Sequence, residues 1–475
     1  MTILMKNVAE KFKKVAEIER QVRLSHVVFG AFALLLLWAS CCAIDTGPSH
    51  VPRHLHRFYR FPEGYNIPEK LLSEAERNAL ISRVERLNAQ AEVLNWDKYR
   101  PVHAETTIII VHVHKDVERL QYLIISLGQV RYIWRVLLIF SHSYYDDEIN
   151  NLIKRIDFCR VLQIFYPYSM QMYPSQFPWI DYDDCNLTLP AGAAPGEPCL
   201  EREARRAQYK WHWWWTAHYV FNGEWRSEKR MVLFLKEDNY VLPDLLHVFQ
   251  RTRRLLPYFR AEVMSFGGPQ QARLGYDSIT IQAWEPSYEK GLAFNLRTWW
   301  KISERSSFYC FHDDCEWSQS LVPVFRNFTG GFAKMAAVSA PRVLSTSGFA
   351  SGRSGARWAW SVPRLARLFP ETVRARVPPP SAMQARARRR RALRPSRCGA
   401  MPEQVLYCLA PLVPGETTPV DPLMTATTKA PPANSLMTAS NEATPDDSLK
   451  TATTEASSST ALPTKNEITN LLHVT

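Results

Sequence analysis

Hydrophobic and polar positions divide the chain into blocks of different character. Residues 27–44 (VVFGAFALLLLWASCCAI) form an uncharged apolar run of eighteen residues. That length matches the ~18–20 residues that cross a bilayer core, and Lys6, Lys11, Lys13, Lys14, Arg20 and Arg23 precede it. Positive-inside logic predicts a cytoplasmic tail over 1–26 and an uncleaved type II anchor over 27–44. The apolar core of a cleaved signal peptide is shorter, ~7–15 residues. Residues 45–104 are polar, with apolar positions spaced by three and four over 71–94, and predict a stem containing one helix. From Thr106 the period changes. Continuous β-branched and apolar runs at 106–113, 136–141, 161–165, 231–235 and 261–266 predict strands covered on both faces. Amphipathic stretches at 117–127 and 146–154, and one opened by Pro243, predict the helices between them. Strand and helix alternating at this spacing predict an α/β domain with a mainly parallel, Rossmann-like sheet over 105–325. Such sheets place ligands at the carboxyl ends of their strands, here His112–Asp116, Ser141–Tyr144 and Lys236-Glu237-Asp238.

Composition alters this picture mainly after residue 325. Over 331–400 there are fourteen Arg and one Lys against one acid, so this segment alone carries +14 of the chain's net +12. Residues 401–475 carry −5, and the first 330 residues are close to balanced at +3. Basicity therefore says nothing about the α/β domain. Residues 326–400 read as an Arg/Pro-rich segment apart from that domain. Residues 401–475, rich in Ser, Thr and Pro with LMTA, LMTA and LKTA recurring every thirteen residues, read as a mucin-like disordered tail. The RARRRR run at 386–391 would suit nucleic acid or a processing protease, and a lumenal location excludes the nucleic acid. Two sequons, at Asn186 and Asn327, and seven cysteines beyond the anchor fit a glycosylated, oxidising compartment.

The acidic pair Glu237 and Asp238 at the end of a buried strand suits a hard divalent cation on a pyrophosphate, although Lys236 sets a cation beside it. The segment KWHWWW at 210–215 reads either as core or as a wall for a sugar or base, with core favoured. Five separated blocks then carry a resemblance: VHVHKDVERL (111–120), VLLIFSH (136–142), the EIN…FC…FP pattern over 148–178, REA…YKWHWWW (202–215) and VLFLKEDNYVLPD (232–244). Together they resemble the alpha-1,6-mannosyl-glycoprotein 2-beta-N-acetylglucosaminyltransferase, or N-acetylglucosaminyltransferase II, family.

That resemblance implies a GT-A-like fold. It also implies metal-dependent transfer of GlcNAc, with inversion, from UDP-GlcNAc to the 2-hydroxyl of the α1,6-arm mannose of N-glycans at the Golgi membrane. Mn²⁺ or Mg²⁺ would be the cofactor and glycoprotein N-glycans the acceptors, and the family admits a homodimer. Residue by residue it implies Asp238 and Glu237 as metal ligands. For the nucleotide sugar it implies His112, Val113, His114, Lys115, Asp116, Ser143, Gln208, Tyr209, Lys210, Trp211, His212 and Arg273. It implies a disulfide between Cys185 and Cys199. The sequence departs from the family at 112–116, where only Val113 and His114 agree, and at Ser318, which stands where the family has its catalytic aspartate. A hydroxyl is a poor base at neutral pH, so the base falls to Glu316, Asp314 or Asp313. A catalytically inactive, membrane-anchored relative with a binding or scaffolding role is the alternative reading.

Overall fold

The computed structural model describes residues 17, 51–62, 64–68, 70–174, 199–269, 275–312, 315–328, 331–346, 368–388 and 402–409. The expected anchor at 27–44 lies outside them. Among the described residues no helix is long and apolar enough to cross a membrane. The chain divides into two compact units, Met1–Phe61 and Pro62–Thr475. In the first, a 3₁₀ turn spans Arg53–Phe58. The second holds the sheet.

Four neighbouring strands of that sheet are parallel: β2 (Ile108–Val113), β3 (Leu137–His142), β4 (Arg160–Phe165) and β5 (Met231–Lys236). Their sequences predict this, since runs such as IIIVHV offer no polar face and are buried at every position. Helices α2 (Val117–Gly128) and α3 (Asp147–Lys154) connect them, each opened by an aspartate, Asp116 and Asp146, whose carboxylate accepts from the first-turn N–H groups. β2 lies between β3 and β5, so the connections leave in opposite directions there. The carboxyl ends of β2 and β5 thereby border an open crevice.

Beyond β5 the sheet becomes mixed. β9 (Leu292–Asn295) runs antiparallel between β5 and β7 (Val263–Ser265). β10 (Lys334–Val338) then inserts between β7 and β8 (Ser278–Ala283), and β12 (Arg374–Arg376) closes that edge. Thus the expected boundary at residue 325 falls inside helix α8 (Trp317–Arg326), and the sheet draws on residues from the Arg-rich segment. KMAAV is short and alanine-rich and gives no β-branched signal, although four of its five residues are buried. Residues 74–94 of the expected stem likewise belong to this unit. Helix α1 (Glu74–Gln90) buries Val84 against Phe165 and Met172, and β1 (Val93–Leu94) pairs with β4.

The long helix α4 (Cys199–Asn222) carries the tryptophan run, and Trp211, Trp213, Trp214 and Trp215 are all buried core. Trp213 stacks on Trp317 at 4.7 Å, and Trp214 packs on Tyr309 at 4.6 Å. Helix α10 (Pro402–Leu409) docks onto the same cluster through Cys408, which forms a disulfide with Cys310. Its Gln404 donates to the Tyr166 hydroxyl at 2.8 Å. The tail expected over 401–475 therefore begins with an ordered helix, because Tyr407, Cys408 and Leu409 pack against this cluster. Cys185 lies outside the described residues, as does the side chain of Cys199. Cys159 is a free, buried thiol, and Cys315 is buried beside Ala204 and Ala207.

After β5 the chain forms β6 (Asn239–Val241), which pairs with β11 (Val343–Ser345), and then helix α5 (Leu245–Phe259). Asp244 precedes α5 but does not cap it. Its carboxylate instead meets Arg342 at 3.1 Å, both side chains fully buried, and accepts from the Phe369 N–H. Removing one partner of a buried pair strands the other charge. Arg342→Ala is therefore expected to destabilise the protein by about 3–5 kcal/mol in urea unfolding. The double change Asp244→Leu/Arg342→Met should recover most of that loss. A single Arg342→Ala within about 0.5 kcal/mol of the parent would contradict this role for the pair.

Candidate active site

A cleft of about 490 Å³ opens at the carboxyl ends of β2, β3 and β5. β2 delivers His114, Lys115 and Asp116, β3 delivers Ser143, and the turn after β5 delivers Lys236, Glu237 and Asp238. Asn239 closes that turn by accepting from the Lys236 N–H at 3.0 Å, and its amide donates to the Asp238 carboxylate at 3.1 Å. Residues of the Arg-rich segment brace the same acid. The Thr346 N–H and hydroxyl both donate to the Asp238 carbonyl, at 2.7 and 2.8 Å, and the Ser345 hydroxyl donates to its carboxylate at 3.4 Å. Glu237 turns inward. Its carboxylate accepts from the His114 N–H at 2.7 Å, and its own N–H donates to the His112 carbonyl. This fixes the end of β5 against the end of β2.

The charges in the cleft are opposed and crowded. Burial, and then the neighbouring Asp116, push the Glu237 carboxyl up to about 8. Asp116 is itself raised, chiefly by burial. Burial works against the Lys236 ammonium, but Asp238, Glu237, Glu316 and Glu289 together outweigh it and raise its pKa. Its Nζ lies 5.2 Å from the Tyr209 ring centroid. His114 is held down at about 3 by burial, with Lys115, Arg205 and Lys236 adding to the effect, so it is a neutral imidazole whose Nδ1 lies 3.0 Å from the Ser143 hydroxyl.

Of the residues expected at the site, His114, Lys115, Asp116, Ser143, Gln208, Tyr209, Glu237, Asp238 and Glu316 line the cleft together. Five others do not. His112 and Val113 lie within the sheet, the His112 ring 4.9 Å from that of His212 and 5.5 Å from that of Tyr209. On α4, the cleft is lined by Arg205, Gln208, Tyr209 and Trp213 at a helical spacing of three and four, with Arg206 at the margin of that face. Lys210, Trp211 and His212 fall on other faces and enter the core. There the Lys210 ammonium donates to the His312 carbonyl at 2.7 Å, and His212 Nε2 lies 2.7 Å from the Ser141 hydroxyl. Ser318 is buried in α8 and does not line the cleft, whereas Glu316 stands just before that helix and does. Asp313, Asp314 and Arg273 lie outside the described residues.

The structure adds Arg205, Arg206, Glu289 and Lys290. The two arginines sit in the unmatched gap of the fourth sequence block. Glu289 and Lys290 come from an aperiodic loop, where only folding brings them near Lys236. Gly291 turns the chain there at a φ of 62°, and a Cβ on it would meet Val343 at 2.8 Å.

A hard divalent cation finds suitable donors in Asp238 and Glu237, and it would favour the charged form of the Glu237 carboxyl, which burial and then Asp116 push up. Among the described residues no three His, Cys, Asp or Glu side chains converge to hold one. Its remaining oxygens would come from water or from a bound diphosphate, the usual arrangement for Mg²⁺-like ions.

The chain matches a family model described as N-acetylglucosaminyltransferase II over residues 81–362. It is 33% identical over 281 residues to the alpha-1,6-mannosyl-glycoprotein 2-beta-N-acetylglucosaminyltransferase of Sus scrofa, covering 55% of this chain and 63% of that protein. It is 28% identical to the Arabidopsis thaliana protein of the same name, covering 54% and 62%. The match thus spans less than two thirds of these relatives' length. Among solved structures, S. aureus TarS 1-349 aligns at 10% identity with a TM-score of 0.30, over 55% of this chain and 66% of that one.

The raised Glu237 carboxyl has a consequence for stability. Folding lifts this acid from 4.5 to about 8, so in that interval the folded chain holds a proton that the unfolded chain has released. Stability falls as pH rises through that window. Glu237→Gln is expected to flatten this slope while keeping the bond from the His114 N–H, as read from thermal melts at pH 5, 6.5 and 8 without divalent cation. A slope unchanged by the substitution would refute this assignment.

Proposed function

The chain belongs to the N-acetylglucosaminyltransferase II family, and we propose that it transfers GlcNAc from UDP-GlcNAc to the 2-hydroxyl of the α1,6-arm mannose of N-glycans, with inversion. The observation that carries this reading is the cleft where Asp238 and Glu237 face Lys236, Lys290 and Arg205 at the carboxyl ends of β2 and β5. Opposed carboxylates and cations in one crevice suit a nucleoside diphosphate with a divalent ion. The crevice lies where a GT-A-like sheet would hold its donor. Mn²⁺ or Mg²⁺, held by Asp238 and Glu237, would supply positive charge to the departing diphosphate. The proposed setting is the Golgi lumen behind a type II anchor, on the strength of the uncharged run at 27–44.

The chain's own residues then divide the work. Lys236 and Lys290, with Arg205 and Arg206, offer fixed cations to the diphosphate oxygens and stabilise the charge that develops as the bond from C1 to phosphate oxygen breaks. Glu316 is the carboxylate assigned to the acceptor. As the mannose oxygen bonds to C1, its proton passes to Glu316 and UDP leaves with the electron pair, so one displacement inverts the anomeric carbon. Tyr209 and Trp213 wall the cleft and exclude water from the sugar.

A second reading, a binding protein without turnover, draws support from Ser318, buried where the family has its base, and from Lys236 beside the proposed metal acid. Full-length protein in detergent, UDP-GlcNAc, Mn²⁺ and a mannose-terminated N-glycan separate the two. The expected outcome is a β-linked product, roughly 10²–10³-fold slower with Asp238→Ala. Glu316→Gln should be roughly 10²–10⁴-fold slower in kcat, with donor affinity intact. Donor binding without product selects the second reading, and neither binding nor product rejects both.

A further inference from the structure

The amino ends of the same parallel strands border a second and larger cleft, of about 1170 Å³. It is framed by residues just before β2 and β3, by the start of β4, by the segment before β5, and by one face of α5. Eight Lys and Arg side chains line it against one acid, Glu105. Among the described residues, Lys98 is the one of these that approaches a carboxylate, Asp157 at 3.9 Å. Arg135 lies over the Tyr132 ring at 4.7 Å, and Arg253 donates to the Lys229 carbonyl at 2.6 Å.

The least expected member is Arg160. Its side chain is 2% exposed, yet its guanidinium meets only backbone oxygens, donating to the carbonyls of Arg100 and Val136, and its Nε has no partner among the described residues. Arg230, 6% exposed, repeats the arrangement at one margin. It donates to the Trp225 carbonyl and to that of His103, which lines the cleft, and again its Nε is unpartnered. Buried guanidinium groups are ordinarily matched with carboxylates, because an uncompensated charge is costly inside a protein. Two of them, beside seven further Lys and Arg side chains and the single lining acid Glu105, leave an excess of positive charge among the described residues.

The rim adds a second kind of contact. Trp134 is 46% exposed, its ring 5.3 Å from that of Tyr132. An exposed indole beside guanidinium groups suits a ligand made of flat, apolar-faced rings carrying oxyanions. We propose that this cleft binds an oligosaccharide bearing sulfate or phosphate groups, at a site separate from the catalytic cleft at the other ends of the strands. Arg251, Arg254 and Arg100 meet the oxyanions, Trp134 stacks on a ring, and Arg160 sets the field at the floor. The proposal does not depend on the transferase reading, since it uses none of the same side chains.

The test is calorimetric titration of the full-length protein with a heparin-derived sulfated hexasaccharide, its desulfated counterpart, inositol hexakisphosphate and polyglutamate. The expected result is saturable binding of the sulfated hexasaccharide or the hexakisphosphate that weakens steeply with salt. The tighter of the two identifies the preferred oxyanion. Arg251→Glu/Arg254→Glu should weaken that binding at least tenfold. Arg86→Glu, on the exposed face of α1, should change it less than twofold, and UDP-GlcNAc titrations should be the same for all three proteins. The proposal fails if neither oxyanion binds, if the double variant binds normally, or if the desulfated sugar binds as tightly. It also fails if polyglutamate binds as tightly, which would assign the cleft to an acidic peptide.

Discussion

The ion pair between Asp244 and Arg342 joins the two halves of the molecule's architecture. Burying both charges completely is unfavourable unless each is fully met. Here the guanidinium also donates to the carbonyls of Ala340 and Tyr276, and the carboxylate also accepts from Phe369. The pair fixes the start of α5 relative to the segment that runs from β10 into β11. β11 in turn pairs with β6, next to Asp238, and Thr346 holds the Asp238 carbonyl. A charge pair remote from the cleft thus sets the backbone on which the proposed metal acid is mounted. A change at Arg342 should therefore be felt in the cleft as well as in stability.

The cleft owes its chemistry to the sheet's topology. Where the connections on either side of β2 diverge, strand ends stand uncovered, and the acids and cations at those ends share one small volume. Burial, and then the neighbouring Asp116, drives Glu237 toward its neutral form, while the surrounding carboxylates keep Lys236 charged against its own burial. A diphosphate with a divalent ion matches both tendencies, giving the carboxyls a cation and the ammonium an anion.

The parts of this arrangement that were legible in the sequence share one property, a local signal. β2, β3 and β5 are continuous apolar runs, and Glu237 and Asp238 follow the last of them directly, so both the strands and the acids could be read from the chain. β8, SITIQA, and β10, KMAAV, lack that signal because polar or small residues occupy positions that only the neighbouring strands bury. Glu289 and Lys290 were invisible for a related reason, as convergence from a loop leaves no period. Lys210, Trp211 and His212 were adjacent to real cleft residues in sequence but not in space, because a helix turns each successive side chain by about 100°. Charge misled in a similar way. The first 330 residues are nearly neutral as a sum, yet their arginines gather in one cleft, while Arg342, from the most basic segment, is core.

The two borders of the ten-stranded sheet share a different role. On one side β4 meets only the two-residue β1, and Asn88 of α1 then takes over as a surrogate strand. Its amide donates to the Phe165 carbonyl at 2.7 Å and accepts from the Phe165 N–H at 2.8 Å. On the other side β12 is three residues long and places Arg374 and Arg376, both exposed, on the rim. A long sheet with bare borders is a template for strand-by-strand growth between molecules, and short or charged borders suppress it. Asn88 and the two arginines work as stops, closing both borders of the ten-stranded sheet to a further strand.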